Sequence, residues 1–255
     1  MKCESGPPGG DQRSGDAAET VLLACHTIRM EIEKAARETG RCYPTVWIES
    51  GLHLQPESLR GRIQEELDRL NHARRVILGF GFCGNAVVGL VSGDFELVVP
   101  RVDDCITLLL GSRERRDACL KDGGVYFLTQ GWLEDELNIW KEYQATLARL
   151  GPERTDRAYR LMLAHYRYLG LIDSGAYDLS ALLPRVREIG SRLHLEPRVL
   201  PGSDSWLKRL LTGPWQGDGF VIVPPHTRVD LALLGFDADT PAPVPQVQPR
   251  PVLPA

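Results

Sequence analysis

The sequence predicts an α/β protein with an open, largely parallel sheet flanked by helices. The first observation is that short apolar runs alternate with longer stretches of helical periodicity, as in repeating strand–helix units. The second is that 43% of the 255 residues are hydrophobic and 25% are charged, as in folded proteins with a sizeable core. A chain of this length readily forms one such domain.

The domain limits follow from the two ends of the chain. Residues 1–19 are rich in Gly, Asp and Ser and have almost no large apolar side chains, so we expect a disordered leader. Residues 236–255 are Pro-rich and predict an extended, disordered tail. Residues 20–235 therefore form a single predicted α/β domain.

Strands are predicted where four or more consecutive residues are mostly apolar, β-branched or aromatic. The third of these runs leads into the glycine-rich turn GFGFCGN. In chain order the runs are VLLA at 21–24, TVWI at 45–48, RVILGF at 75–80, FELVVP at 95–100, VYFL at 125–128, RVLPG at 198–202 and FVIVP at 220–224.

Helices are predicted where apolar residues recur at spacings of three and four. Gly151 and Pro152 separate two of them, because this pair breaks a helix. In chain order the helices follow the first strand to about residue 39, span 56–70, begin with small residues after Gly84, and span 132–150, 153–170, 181–195 and 206–211. With the strands, they predict a Rossmann-like three-layer arrangement.

The charge pattern and the length of the apolar runs exclude two classes of partner. Thirty basic and 34 acidic side chains give a net charge of -4 without a block of like charges, so no basic face is expected for nucleic acid. No apolar run approaches the roughly 20 residues of a membrane helix, and the first residues lack the apolar core of a signal peptide. We therefore predict a cytoplasmic protein that binds neither nucleic acid nor membrane.

Three cysteines lie at predicted strand ends. Cys25 follows the first strand, Cys83 follows the third and Cys105 lies five residues after the fourth. Ligands bind beyond the carboxyl ends of strands in open parallel sheets, because loops and helix starts converge there. If the three strands are neighbours, the three thiols face one crevice. The competing interpretation is that each cysteine packs as a small hydrophobe.

Three clustered thiols suit two kinds of chemistry. Cys25, Cys83 and Cys105 could bind zinc, or an iron–sulfur cluster with one position left open for a substrate. Alternatively, Cys25 and Cys83 could act without metal as acid–base or nucleophilic thiols of a racemase, lyase or hydrolase. The sequence has no close Cys-x-x-Cys pair that would favour the metal decisively.

The densest polar group in the domain follows the fourth strand and could bind a small anionic molecule. The guanidinium group of Arg113 could hold a carboxylate or phosphate through two hydrogen bonds, although a solvated helix end would equally place an arginine there. Two adjacent acids are also common at a helix start. The candidate substrate-binding residues are Arg101, Asp103, Asp104, Ser112 and Arg113.

Three further polar residues are candidates for the same site. Asn85 follows Cys83 by two positions and is a further substrate-binding candidate. His26 adjoins Cys25, and His165 lies in the stretch AHYRYLGLID. We predict that His26 or His165 moves protons, because imidazole changes charge near neutral pH. A structural or exposed histidine on a helix face is the alternative for His165.

Several strings carry a family resemblance over roughly residues 20–230. These strings are LLACHTIR, YPTVWIESGLH, GFGFCGNAVVGL, PRVDDCITLLLGSRE, FLTQGWL, MLAHYRYLGLID and FVIVPPHT. The chain resembles the domain-of-unknown-function family sixteen-thirty-eight, and Cys25, Cys83 and Cys105 are among the positions that match. Members of that family occur in bacteria and methanogenic archaea, often encoded near corrinoid-dependent methyltransferases.

The resemblance implies a role in anaerobic one-carbon metabolism. Our leading hypothesis is a metal- or iron–sulfur-binding enzyme, or accessory factor, of methyl-group or cofactor metabolism, with the three cysteines as ligands. The first alternative is the metal-free two-thiol enzyme. The second is a non-enzymatic partner of a corrinoid protein or its methyltransferase.

Overall fold

The computed structural model describes residues 19–49, 51–52 and 55–235. The strands in this part of the chain are β1 (Thr20–Cys25), β2 (Thr45–Ile48), β3 (Arg75–Gly79), β4 (Glu96–Pro100), β5 (Gly124–Leu128), β6 (Tyr166–Asp173), β7 (Glu196–Pro201) and β8 (Phe220–Val223). The helices are α1 (Arg29–Thr39), α2 (Pro56–Arg69), α3 (Cys105–Leu110), α4 (Arg113–Leu120), α5 (Gln130–Glu134), α6 (Ile139–Leu150), α7 (Pro152–Met162), α8 (Leu179–Leu193) and α9 (Ser205–Thr212). A short 3-10 turn (His26–Ile28) joins β1 to α1.

The larger sheet has the strand order β2-β1-β3-β4-β8. Its first four strands are parallel, with Leu22 of β1 opposite Ile77 of β3, and Ile77 opposite Val98 of β4. Strand β8 is antiparallel to β4. Every residue of β1 is buried, which explains its uninterrupted apolar sequence. Because β1, β3 and β4 are parallel neighbours, their carboxyl ends lie at one edge of the sheet.

The smaller sheet is parallel, with the order β5-β6-β7. Alternate side chains of β5 point to opposite faces. Val125 and Phe127 pack into the core that surrounds the larger sheet, whereas Tyr126 and Leu128 pack into a second core with α6 and α8. Both faces of the smaller sheet are therefore covered, as expected for parallel strands.

The carboxyl ends of the smaller sheet adjoin the segments that follow the larger sheet's strands. After β5, the hydroxyl of Thr129 donates to the Thr27 carbonyl at 3.5 Å, and Gly131 packs directly against the same carbonyl. After β7, the Asp204 carboxylate pairs with Lys34 of α1 at 2.6 Å. The edges where ligands bind in parallel sheets therefore come together in this fold.

The predicted α/β class, with mostly parallel sheets flanked by helices, is confirmed. The strands form two sheets rather than the one that we expected, because β8 returns to pair with β4 and covers the edge to which β5 would have been added. Apart from residue 19, the predicted leader and tail lie outside the described residues. No helix within 19–49, 51–52 and 55–235 has both the length and the apolar character needed to cross a membrane.

The predicted helix at 153–170 is wrong in its second half. Helix α7 ends at Met162, and β6 begins at Tyr166. The apolar residues Tyr166 and Leu169 continue the spacing of α7 by coincidence. In β6, Tyr168 and Leu169 point instead to opposite faces of the smaller sheet.

Two other helix predictions need correction. The predicted helix at 132–150 is divided into α5 and α6, because the Asn138 side chain accepts hydrogen bonds from the backbone at Trp140 and Lys141 and starts a new helix. The small-residue helix expected after Gly84 is a series of turns across 83–89 instead. Positive φ angles at Cys83 and Asn85 are incompatible with a right-handed helix there.

The loops after β3 and β4 are in direct backbone contact. The Cys83 amide donates to the Asp103 carbonyl at 2.9 Å. A Cβ atom on Gly81 would lie 2.5 Å from both the Cα and the nitrogen of Asp104. A glycine at position 81 is therefore what allows the two loops to touch.

We expect Gly81→Ala to lower the free energy of unfolding by about 1–3 kcal/mol, because the new methyl group must push the two loops apart. Gly61→Ala is the matched control. This glycine is exposed in α2 with nothing within 4 Å of a Cβ, so alanine should raise the same free energy by about 0.5–1 kcal/mol. Urea unfolding followed by circular dichroism measures both changes. Wild-type stability of Gly81→Ala would contradict the proposed tight contact.

Candidate functional site

The three cysteines predicted at strand ends occupy one edge of the larger sheet. Cys25 is the last residue of β1, Cys83 lies in the loop after β3, and Cys105 is the first residue of α3, after β4. Cys25 and Cys83 are buried, and Cys105 is half-buried. The expected adjacency of their strands is present, because β3 pairs with both β1 and β4.

The loop that carries Cys83 has an unusual backbone. Cys83 has a φ of 44°, and Gly84 and Asn85 follow with φ values of 71° and 68°. A residue with a Cβ atom pays a steric cost in this left-handed region, and such residues are found more often at functional sites than elsewhere. The hydrogen bond from the Cys83 amide to the Asp103 carbonyl helps to hold Cys83 in this conformation.

The three thiols lie within electrostatic reach of one another. Burial raises the pKa of the Cys105 thiol well above its ordinary value, and the nearby Cys83, Cys25 and Asp104 raise it further. The Cys25 sulfur lies 2.9 Å from the Thr27 hydroxyl oxygen. Negative charge on the Cys105 sulfur is therefore unfavourable without a nearby cation.

The cluster supplies soft donor atoms, but these atoms are not arranged as a complete set of metal ligands. Within the described part of the chain, no group of three or more His, Cys, Asp and Glu side chains is arranged to hold a metal ion. Binding of one ion by all three sulfurs would therefore require a rearrangement of this edge.

The polar group after β4 is occupied with internal ion pairs. Arg113 Nε lies 3.0 Å from an Asp103 carboxylate oxygen, and Arg116 Nη2 lies 2.9 Å from an oxygen of Asp104. Burial raises the pKa of Asp103, while Arg113 and Arg116 act in the opposite direction. Asp104 also accepts a hydrogen bond from the Thr107 amide and starts α3, as the helix-cap alternative anticipated. These contacts fix the loop of Cys105.

The remaining predicted substrate residues lie in separate places. Ser112 accepts a hydrogen bond from the Arg115 amide and starts α4. The exposed Arg101 has its guanidinium group beside Gly235. Asn85 lies in the left-handed turn after Cys83, where its carbonyl oxygen accepts a hydrogen bond from Arg60. Of this set, Asn85 is the nearest along the chain to a cluster thiol.

The two candidate histidines have different positions. His26 follows Cys25, is exposed, and contacts Trp47 edge to face at 6.3 Å between ring centroids. His165 is exposed at the amino end of β6, in the smaller sheet. That is the opposite end of a strand from the one at which ligands bind in parallel sheets. The structure therefore brings His26, but not His165, to the edge that carries the thiols.

A buried acid that was not among the predicted site residues lies in the first turn of α1. Glu31 is 2% exposed; one of its oxygens accepts a hydrogen bond from the Ser174 hydroxyl at 3.0 Å, and the other is buried without a hydrogen-bond partner. Burial raises the pKa of Glu31. The signal available in the sequence was its spacing from Ile28 and Ala35, which places Glu31 on the apolar face of the helix.

A cleft of about 440 Å³ lies between this helix and the segments that follow β5 and β6. Met30 of α1, Gln130 of α5 and Tyr177, which precedes α8, are among the residues that line it. The Tyr177 hydroxyl donates to the Ile172 carbonyl, and burial followed by the charge of Glu31 raises the pKa of Tyr177. Glu31 therefore lies near the cleft, about two helical turns from Cys25 along the chain.

The comparison with family models matches residues 47–211 to a family described as "Protein of unknown function (DUF1638)". This segment is more than half of the chain and includes Cys83 and Cys105, whereas Cys25 precedes it. The match confirms the predicted family, while the strings LLACHTIR and FVIVPPHT lie outside the matched residues. No curated protein and no solved structure matches the chain.

We expect Cys105 in the metal-free folded protein to resist alkylation by iodoacetamide until the pH is well above the ordinary thiol range, because its pKa is raised. The same cysteine in the urea-unfolded chain should react as an ordinary thiol and therefore at a lower pH. Mass spectrometry of the modified peptide measures both profiles. Identical profiles would show that Cys105 does not lie in the buried cluster described above.

We expect Glu31→Gln to change the dependence of stability on pH. The pKa of Glu31 is raised in the folded state, so its proton stabilises the fold at low pH, and that contribution is lost as the pH rises through the folded-state pKa. Glutamine does not titrate, so the free energy of unfolding of the variant relative to wild type should increase as the pH rises above the ordinary pKa of a glutamate and then level off above the raised pKa. Urea unfolding at each pH, with the exposed Glu57→Gln as control, tests this. A constant difference would contradict the burial of the Glu31 carboxyl.

Proposed function

Because this chain belongs to the DUF1638 family of proteins of unknown function, we propose a function from its own site: Cys25, Cys83 and Cys105 hold a thiophilic metal centre. The centre is either zinc or an iron–sulfur cluster. The protein then acts as a metal-dependent enzyme or accessory factor that works on a small anionic molecule.

The observation that carries this proposal is the convergence of three thiols from three parallel strands. A cysteine that only fills core space has no need of two further thiols within electrostatic reach. The contact of Gly81 with Asp104 brings the Cys83 loop against the segment that leads into Cys105. Such convergence of residues from separate strand ends is typical of sites in parallel sheets.

The chemistry of the donor set fits a soft metal. Thiolate sulfur is the preferred ligand of zinc and of iron–sulfur clusters, and three protein ligands leave one position for water or a substrate. Arg113 and Arg116 are paired with Asp103 and Asp104, so these arginines do not neutralise three thiolates. A metal cation would supply the missing positive charge, and its chemistry would be that of a Lewis acid or a redox centre.

The surrounding residues have supporting roles in this proposal. The Thr27 hydroxyl orients the Cys25 sulfur, from which it lies 2.9 Å. Asp104 starts α3 and so fixes the position of Cys105, while Arg116 fixes Asp104. The exposed His26 is placed to exchange protons with solvent beside Cys25. His165 has no part in this site, because it lies at the amino end of β6.

The one-carbon setting of the proposal rests on the family resemblance alone. The occurrence of family members near corrinoid-dependent methyltransferases makes a corrinoid protein or its methyltransferase the expected partner. The expected location is the cytoplasm, where the thiols of such a site remain reduced. A metal-free enzyme that uses Cys25 and Cys83 is the alternative that the following experiment distinguishes.

We expect the full chain, purified without oxygen, to contain close to one equivalent of zinc, or iron with acid-labile sulfide and a visible absorption band. The triple variant Cys25→Ser, Cys83→Ser, Cys105→Ser should lose at least about nine-tenths of that metal, because serine is a poor ligand for soft metals. Cys119→Ser is the matched control, since Cys119 lies in α4, away from the three strand ends. Elemental analysis measures the loss.

Equal metal content in the wild type and the triple variant would overturn the proposal. A colourless and metal-free wild-type protein would also overturn it. In that case, rapid stoichiometric alkylation of Cys25 or Cys83 would support the two-thiol enzyme instead. A circular dichroism spectrum of each variant establishes that the loss of metal does not follow from loss of the fold.

A further inference from the structure

Two arginine side chains from distant parts of the chain meet beside the turn that follows Cys83. The position that a side chain on Gly89 would occupy lies 3.7 Å from Arg60 Nε and 3.6 Å from Arg228 Nη2. Arg60 belongs to α2, and Arg228 follows β8. Both nitrogen atoms therefore lie near the same point beside Gly89.

The described residues supply no counter-charge for this pair. Neither Arg60 nor Arg228 forms an ion pair with any acid in the part of the chain that the structure describes. Arg60 Nη2 donates to the Asn85 carbonyl at 3.3 Å, but its Nε is buried without a hydrogen-bond partner. Two neighbouring guanidinium groups repel each other, and a buried donor without a partner is costly. A bound anion would relieve both costs.

The backbone beside the pair is held in place. Gly89 has a φ of 95°, a conformation that glycine adopts readily, and the position that a Cβ would occupy there lies no closer than 3.6 Å to the atoms of Arg60 and Arg228. The Gly89 amide donates to the Val229 carbonyl at 2.8 Å, and the Val229 amide donates to Leu90. These bonds hold the segment of Arg228 against the turn at 83–89.

We infer that Arg60 and Arg228 form a binding site for a small oxyanion, a phosphate or a carboxylate, at the turn that carries Cys83. Arginine binds both groups through charge-assisted hydrogen bonds. This inference rests on the proposed function in one respect: it assigns the bound anion to the substrate on which the thiol cluster acts. It places the anion away from the predicted candidate Arg113, whose guanidinium group pairs with Asp103.

The test measures binding of inorganic phosphate and, separately, of acetate to the full chain by isothermal titration calorimetry. We expect Arg228→Gln to weaken binding of the preferred anion about tenfold, because one of two charged donors is lost. The double variant Arg60→Gln, Arg228→Gln should show no saturable binding. Arg157→Gln, which removes an exposed arginine of α7, is the matched control and should bind as the wild type does.

Arg228 is exposed and its removal relieves the repulsion between the two guanidinium groups, so its substitution should not lower the thermal midpoint, which is measured for each variant. The anion that binds more tightly identifies the substrate group as phosphate or carboxylate. Absence of saturable binding of either anion to the wild type, or equal affinity in the wild type and the double variant, would overturn the inference.

The same titration on the triple cysteine-to-serine variant separates this inference from the proposed function. We expect that variant to bind the anion as the wild type does, because neither arginine contacts a cysteine sulfur through any hydrogen bond that the structure describes. A metal-free wild-type protein that binds phosphate through Arg60 and Arg228 would refute the metal centre and leave the anion site intact. Metal bound by the cysteines without anion binding would refute the anion site and leave the metal centre intact.

Discussion

The close backbone contact between the loops after β3 and β4 is the constraint on which the candidate site depends. Parallel pairing brings the two strand ends to one edge, but it leaves the loops free to diverge. Contact of Gly81 with Asp104 and the bond from the Cys83 amide to Asp103 remove that freedom. As a result, the Cys83 turn is seated against the start of α3.

The cluster combines two features that oppose each other in a metal-free protein. Burial protects the thiols from water and raises the pKa of Cys105, whereas a metal ligand or nucleophile must be a thiolate. The positive charges of Arg113 and Arg116 are used to hold Asp103 and Asp104 in place. This distribution gives the cluster a rigid frame without neutralising it, which is why a cation is the simplest ligand that would complete it.

Much of the fold could be predicted from the sequence, because buried parallel strands leave an unmistakable apolar signal. The runs that became β1, β3 and β4 predicted where Cys25, Cys83 and Cys105 would lie. The prediction failed at β6, where Tyr166 and Leu169 happened to continue a helical spacing and the decisive contacts came from the neighbouring strands. Pairing partners of a strand are a long-range property, which local periodicity does not contain.

The same distinction explains which site residues were found. A cysteine at the end of an apolar run can be recognised from its neighbours, whereas Arg60 and Arg228 acquire meaning only when β8 returns along β4 and places the following segment against the turn at 83–89. That turn connects both features, because Cys83 lies at its start and Gly89 at its end. An anion bound between the arginines would lie at the Gly89 end of this turn. The left-handed residues at the other end of the turn position the Cys83 thiol. Under this proposal, binding of a negatively charged group and placement of one cysteine of the cluster are linked through a single short stretch of backbone.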